Sequence, residues 1–417
     1  MGSVLEAVVL DREGFDVPGE ADRLRETGAV TRVELPGGIL AWSVNDYATV
    51  REVLGDHRRF GKDPQAWTAW RNGEIPPDWP MIGWVVMDNM TTNDGEDHTR
   101  LRNLLMQAFT SRRVEDMRPR IEELTAELLR TMAAAPEDML IDLKESFCKA
   151  LPASLMCELF GVPEESRQEV LQGGIRNIDT RITPEEAEAN VEQWGSAIAQ
   201  LIEDKRRTPG DDLASALIAA RDADGSQLND SELMGTLHLL LGAGSETLMN
   251  ALSHSILKVL EDPSLREQVH AGTLPWMDLF EEVLRVDSPV AIFPFRYARE
   301  SVELGGVHIE EGEVLLVSFI GAGRDPEVYG ETADQFVMDR DDRTHLSFGY
   351  GVHYCLGVRL ARMAAGLSLP ALFARFPDIE LAVPPSELEP QGTFIMNGHL
   401  TLPVRLNAQA GSPELAS

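Results

Sequence analysis

Two short alternations of apolar and polar positions open the patterned part of the chain, Val30-Thr31-Arg32-Val33-Glu34-Leu35 and Ile39-Leu40-Ala41-Trp42-Ser43-Val44. A period of two predicts half-buried strands, and Pro36-Gly37-Gly38 between them predicts the turn of a hairpin. A helix is predicted around Tyr47 to Leu54. Residues 61–93 are rich in Trp, Pro and Gly and carry no sustained period; loops of that length are uncommon and are often functional. From about Glu96 to Leu260 apolar residues recur at spacings of three and four, as at Leu101, Leu104, Leu105, Ala108 and Phe109, which predicts helices. Breaks are expected near Gly161-Val162-Pro163, Gly173-Gly174 and Pro209-Gly210-Asp211-Asp212. After Pro289 the texture turns strand-like, at Gly305 to Ile309 and Val314 to Val317, and Gly392 to Leu406 alternates again. The pattern predicts a mainly α fold with minor β, one compact domain over residues 1–407. The small polar residues of 408–417 read as a disordered tail.

Composition narrows this picture. At 43% hydrophobic residues the chain has ample material for a large core. Its three cysteines, Cys148, Cys157 and Cys355, are too few and too unevenly placed for a disulfide framework, so a reducing cytoplasm is expected. No run approaches the roughly 20 apolar residues of a membrane span, and no signal peptide is visible. The net charge of −32, from 69 acidic and 37 basic residues, argues against nucleic acid or an anionic membrane as a partner. Two local basic groups stand out, Arg112, Arg113, Arg118 and Arg120, and Arg359 with Arg362. They are either a docking face for an acidic protein or scattered solvated arginines.

The most informative chemistry lies at His345-Leu346-Ser347-Phe348-Gly349-Tyr350-Gly351-Val352-His353-Tyr354-Cys355-Leu356-Gly357. Glycines allow close backbone approach to a flat ligand, and a helical pattern (Val358, Leu360, Ala361, Met363) follows at once. Cys355 would then stand just before a helix N-terminus, where the dipole favours a thiolate. A thiolate with cleared backbone around it suits the axial position of a haem iron. An isolated cysteine would more simply be a buried structural residue. Here Phe348, Gly351, His353, Cys355 and Gly357 fall in one frame, and the segment resembles the haem-binding loop of the cytochrome P-450 monooxygenases.

A second segment, Leu237 to Leu241 running into Gly242-Ala243-Gly244-Ser245-Glu246-Thr247, places two glycines inside a helical pattern at a cost of roughly 1 kcal/mol each. Either helices cross closely here, or the helix opens locally where a small ligand meets backbone. Thr247 can hydrogen-bond the Ala243 carbonyl four residues back, and Glu246 is a poor choice for an apolar segment unless it has a task. The segment resembles the family's oxygen-activation motif at Ala243, Gly244, Glu246 and Thr247. The resemblance implies that Thr247 supports oxygen activation and that Glu246 takes part in proton delivery, the two catalytic residues. Ala243 and Gly244 would line the distal side of the cofactor. Leu248 stands where many members carry a second threonine.

Glu282 and Arg285 share a helix face at i, i+3; an exposed ion pair there is worth at most about 1 kcal/mol. The resemblance implies instead the family's structural Glu-x-x-Arg pair, a folding element. His98 and Arg102, one helical turn apart, resemble the family's propionate-binding pair, and Arg296 and His353 take its third and fourth propionate positions. Arginine suits a carboxylate because its fork is bidentate. Phe348, Gly349 and Gly357 complete the implied haem contacts around the iron ligand Cys355. Gly323, before Arg324-Asp325-Pro326, stands where an asparagine is common.

The resemblance covers nearly the whole chain, in the family's order of landmarks, and implies a long central helix and the Cys-loop helix with haem b between them. It implies insertion of one oxygen atom into a C–H or C=C bond, with electrons from NAD(P)H through a ferredoxin and its reductase. The mostly apolar candidates for the pocket, Trp84, Val85, Val86, Ala291, Ile292, Phe293, Phe394, Ile395 and Met396, suit a hydrophobic, medium-to-large substrate of polyketide, macrolide, steroid or cyclic-peptide type. Plain core packing is the competing reading for each. Oxidative coupling, a peroxide-driven reaction or a non-catalytic haem protein are the rival functions; Glu246 and Thr247 speak against the last two.

Overall fold

The structure, a computed structural model, describes residues 6–136, 139–222 and 225–407. The expected tail, 408–417, lies outside the described residues. The predicted hairpin forms as drawn: Val30–Leu35 pairs antiparallel with Ile39–Val44, Val33 opposite Ala41. These two strands belong to a six-stranded sheet in the order Val8–Val9, Val30–Leu35, Ile39–Val44, Val314–Ser318, Ile292–Ala298, Phe60–Gly61. Ile292–Ala298 carries an irregularity between Phe293 and Arg296, which pair with Val317 and Leu315. Three residues on one strand therefore span two on the other. The extra residue brings Phe293 and Arg296 to the same side of the sheet, as a bulge does.

Helices dominate the rest. The central helix Asp230–Glu261 starts with a capping box, the Asn229 side chain accepting from the Glu232 amide and Glu232 from the Asn229 amide. Its 32 residues extend about 48 Å and are buried on most sides, which explains a sequence without a clean amphipathic stripe. Three helices of its surroundings are Ala150–Leu159, Arg167–Ile178 and Pro184–Arg207.

Three expectations need correction. The Gly173-Gly174 pair does not end a helix; it lies inside Arg167–Ile178. A Cβ on Gly173 would stand 2.1 Å from the Trp194 ring, and one on Gly174 would stand 3.1 Å from Cα of Gly242. The glycines are notches that let helices cross, so their cause is tertiary and invisible to local pattern. The strand drawn over Gly305–Ile309 is shorter, because Gly305 and Gly306 (φ +55° and +80°) form the turn between Val302–Leu304 and Val307–Ile309. From Gly392 to Leu406 only Pro403–Arg405 is a strand, in a small sheet with Glu380–Leu381 and Ile141–Asp142. A helix at Val17–Thr27, capped by Asp16, was not anticipated. Among the described residues no helix is long and apolar enough to cross a membrane.

Candidate cofactor and active site

The Cys355 loop is shaped by two left-handed glycines, Gly349 and Gly351, both at φ +75°. A Cβ on Gly351 would stand 2.8 Å from the Leu54 carbonyl oxygen, so glycine is what lets the loop close on the helix Tyr47–Gly55. The Cys355 amide donates to the Phe348 carbonyl at 2.9 Å, and the Gly357 amide points at Sγ of Cys355 at 3.3 Å. The helix Val358–Arg375 begins three residues on. Cys355 is accessible, whereas Cys148 and Cys157 are buried. The protein packed around the loop desolvates the accessible Cys355 sulfur and raises its thiol, and the Gly357 and Val358 amides together with Arg102 oppose that rise. Gly357 itself has helical dihedrals, and a Cβ there would make only an ordinary 3.7 Å contact with Sγ.

Beside the loop the structure gathers cationic side chains. The rings of His98 and His353 lie 4.3 Å apart, and Arg102 donates to the Tyr354 carbonyl at 2.9 Å. Arg296 is buried and reaches the Phe60 carbonyl at 3.3 Å. Lys62 is buried as well, its ammonium 2.8 Å from the Phe295 carbonyl and 4.8 Å from the Phe293 ring centroid. Burial lowers His98, Arg102 and His353, brings Arg296 down to about 10 and holds Lys62 well below the usual lysine range. Mutual repulsion adds to this at Lys62, His98 and His353. Nε2 of His98, Nη1 of Arg102 and both ring nitrogens of His353 are buried without a hydrogen-bond partner. Buried donors, several of them unsatisfied and with Arg296 and Lys62 among them, form a poor protein core and a good anion site.

The central helix runs unbroken through Gly242 to Thr247, without the local opening the glycines allowed for. A Cβ on Gly244 would stand 2.5 Å from the Met156 side chain, so close packing accounts for that glycine. The Thr247 hydroxyl donates to the Ala243 carbonyl at 2.7 Å, and Ala243 is exposed in the middle of a largely buried helix. Glu246 turns elsewhere: it is buried and accepts from Nε2 of Gln391 at 3.1 Å. Burial raises its carboxyl above the usual glutamate range.

This geometry has relatives. The family model for cytochrome P450, hereafter P-450, matches residues 184–273 and 275–399. The 2-hydroxy-5-methyl-1-naphthoate 7-hydroxylase of Streptomyces carzinostaticus is 59% identical over 404 residues, 97% of this chain and 98% of that protein. The 6-deoxyerythronolide B hydroxylase of Saccharopolyspora erythraea is 36% identical, over 92% of this chain and 94% of that protein. The chain belongs to the cytochrome P-450 family. Among solved structures, CYP154A1 from Streptomyces coelicolor superposes with a TM-score of 0.90 at 40% identity, covering 96% of this chain and all of that one.

As a P-450 the chain is a haem-dependent monooxygenase, mainly helical with small sheets. The residues present fit that cofactor: the orphaned donors of His98, Arg102 and His353 suit its two carboxylates, and accessible Cys355 offers the sulfur. Lys62 is the member of this cluster that sequence reasoning missed; it lies in the unpatterned stretch and has no local signal.

The P-450 core behind the loop is held by ions. Glu282 and Arg285 are fully buried and bidentate, at 2.7 and 2.9 Å. Arg285 also donates to the carbonyls of Gly323, Ala333 and Gln335, and Arg340 and the Val337 amide reach Glu282. A Cβ at 323 would stand 1.9 Å from the Arg285 carbonyl oxygen, which accounts for glycine there. One residue earlier, Glu281 binds Arg362 at 2.6 and 2.8 Å and His345 at 3.1 Å. Burial alone would raise the Glu281 carboxyl, but these two partners bring it down to about 2. Phe348 sits between them, 5.3 Å from the Arg362 guanidinium. Of the other arginines singled out in the sequence, Arg113, Arg118 and Arg120 are paired, with Asp211, with Glu115, and with Glu123, Glu127 and Glu158, whereas Arg112 and Arg359 are exposed.

Of the nine pocket residues named from sequence, Val85, Ala291, Ile292, Phe394, Ile395 and Met396 lie in one buried cluster at 3% exposure or less. Trp84 and Phe293 are partly buried and meet edge to face at 5.8 Å, and Val86 is exposed. Leu239 and Leu240 keep accessible surface on the central helix beside Ala243; the sequence reading saw them only as part of an apolar run.

Proposed function

We propose that this P-450 hydroxylates a fused-ring aromatic carboxylic acid, 2-hydroxy-5-methyl-1-naphthoate or a near analogue, in secondary metabolism. The observation that carries this is the 59% identity to a hydroxylase of that compound, extending over 97% of the chain. The accessible apolar residues Leu239, Leu240, Trp84 and Phe293 support a flat hydrophobic substrate held by shape. Electrons would come from NAD(P)H through a ferredoxin and its reductase. Free Cys148 and Cys157 suit a cytoplasmic location. We read residues 1–407 as one domain, because the six-stranded sheet joins Val8–Val9 and Val30–Val44 to 292–318 and the small sheet joins 141–142 to 403–405.

The haem supplies, when bound, activation of dioxygen and delivery of one oxygen atom to carbon. Cys355 would ligate the iron, its sulfur steadied by the Gly357 amide and the start of the following helix. His98, Arg102, Arg296 and His353, with Lys62, would hold the carboxylates. Phe348, Gly349 and Gly357 would border the ligand loop, while exposed Ala243 would leave room beside the cofactor and Gly244 lets the central helix pack on Met156. Thr247 spends its hydroxyl proton on the Ala243 carbonyl, so its oxygen lone pairs are free to accept a proton or hydrogen bond. Glu246, the neighbouring buried acid, would supply protons.

Two measurements test this reading. Titration of the haem-loaded protein with 2-hydroxy-5-methyl-1-naphthoate should shift the Soret band, and turnover with surrogate ferredoxin and reductase should give a product heavier by one oxygen atom. Neither shift nor product would reject the substrate class; a coupled product without added oxygen would move the chain to oxidative coupling. Thr247→Ala should lower product formed per reduced nicotinamide consumed by roughly fivefold to tenfold, the worth of one hydrogen bond of about 1–1.5 kcal/mol. Unchanged coupling would remove Thr247 from the reaction.

A further inference from the structure

Glu246 does not stand alone in the core. Its carboxylate accepts from Nε2 of Gln391 at 3.1 Å, and Oε1 of the same Gln391 accepts from Nδ2 of Asn250 at 2.9 Å and from the Lys144 ammonium at 3.4 Å. Lys144 favours this orientation of the amide: turned over, Gln391 would aim its NH2 group at the ammonium and its carbonyl at a carboxylate. Gln391 therefore passes the polarisation of a buried ammonium to a buried carboxylate, in surroundings where such chains strengthen one another.

The scaffold fixes both ends of this chain. Lys144 is 5% exposed and opens a π-helical turn, Lys144–Lys149, packed against the central helix. Its base is pinned: the amides of Lys144 and Leu402 both donate to Asp142, at 3.0 and 2.8 Å, and its ammonium reaches the His399 carbonyl. Gln391 sits across a tight reversal from Gly398, whose carbonyl accepts its amide at 3.0 Å. A Cβ on Gly398 would stand 2.7 Å from Oε1 of Gln391 and 2.5 Å from Oδ1 of Asn250. A side chain at 398 would displace the amide that bridges lysine to glutamate.

We propose that Lys144 and Gln391 are positioning residues for Glu246, holding the carboxyl in one orientation and setting the pH range over which it can deliver a proton. This rests on the reading of Glu246 as the proton-delivery acid. The charged groups that act most on Glu246 belong to the π-helical turn: Lys144 and Lys149, with Glu145 opposing them. Asp142, Cys148, His254 and His399 complete the titratable surroundings of Lys144. Burial raises the Glu246 carboxyl, and Lys144 followed by Gln391 holds it down. A proton donor serves below its pKa and fails as pH rises through it. Removing the lysine raises that pKa, so the pH at which coupling is lost moves upward.

The test uses the full-length haem-loaded enzyme with 2-hydroxy-5-methyl-1-naphthoate, surrogate ferredoxin and reductase, and reads hydrogen peroxide released per electron consumed against pH. Lys144→Met should raise peroxide release and move the alkaline limb up by about one pH unit. Gln391→Leu, which keeps the lysine, should give the same direction with a smaller displacement. Glu246→Gln should abolish the limb. A Glu246→Gln profile matching the parent overturns the reading of Glu246 as the acid. A changed Glu246→Gln profile beside parental profiles for Lys144→Met and Gln391→Leu overturns the positioning role alone. Should Lys144→Met fail to load haem, the Gln391→Leu profile decides.

Discussion

Cys355→Ser abolishes the thiolate type of ferrous–carbon monoxide spectrum and lowers turnover by more than the 10–100-fold typical of altering a metal's outer-shell partner. The expectation follows from how much of the loop exists to present one sulfur. Gly349 and Gly351 take dihedrals that other residues resist, the Phe348 carbonyl holds the Cys355 amide, and the Gly357 amide faces Sγ. A serine oxygen would keep those backbone bonds, so the loop should fold unchanged while the electron donation of sulfur is lost. Porphyrin should still bind in reduced amount, because His98, Arg296, Lys62 and His353 make their own contacts without residue 355. Porphyrin content and the carbon monoxide spectrum of parent and variant check this directly. A parental spectrum from the serine variant would mean that the ligand lies elsewhere.

Much of this site could be read from the chain because its parts are local. The Cys355 loop is punctuated by glycines whose positive dihedrals are a property of a few consecutive residues. Thr247 and Ala243, His98 and Arg102, and Glu282 and Arg285 are spaced so that one helix brings each pair together. What the sequence could not carry was long-range. The Gly173-Gly174 pair reads as a break because glycine disfavours helix, yet the Trp194 ring and the central helix demand it. Lys62 meets Arg296, and Lys144 meets Gln391, only through tertiary folding. The strand pattern of Gly392 to Leu406 failed for a related reason. Its consecutive apolar side chains Phe394, Ile395 and Met396 all enter one buried cluster through irregular backbone, with single bridges from Met396 to Val290 and from His399 to Pro390.

The other large effect concerns Glu282 and Arg285, for which the sequence allowed two values. An exposed i, i+3 pair would be worth about 1 kcal/mol or less. Both side chains are instead at 0% exposure, and removing one partner of a buried pair strands a charge at about 3–5 kcal/mol. Arg285→Ala should therefore remove about a fifth or more of the roughly 5–15 kcal/mol that holds a domain together. The guanidinium also satisfies three carbonyls, of Gly323, Ala333 and Gln335, so the loss should sit at the upper end. Arg340 keeps one bond to Glu282 at 3.0 Å, which limits the damage without neutralising it by geometry of equal quality. The same helix carries Glu281, which binds His345 and Arg362 on either side of the Cys355 loop, so unfolding here should release haem in step. Urea unfolding followed in parallel by far-ultraviolet circular dichroism and by Soret absorbance checks both statements. A midpoint displaced by the worth of a surface pair, with haem retained, would show that the pair does not hold the core beneath the cofactor.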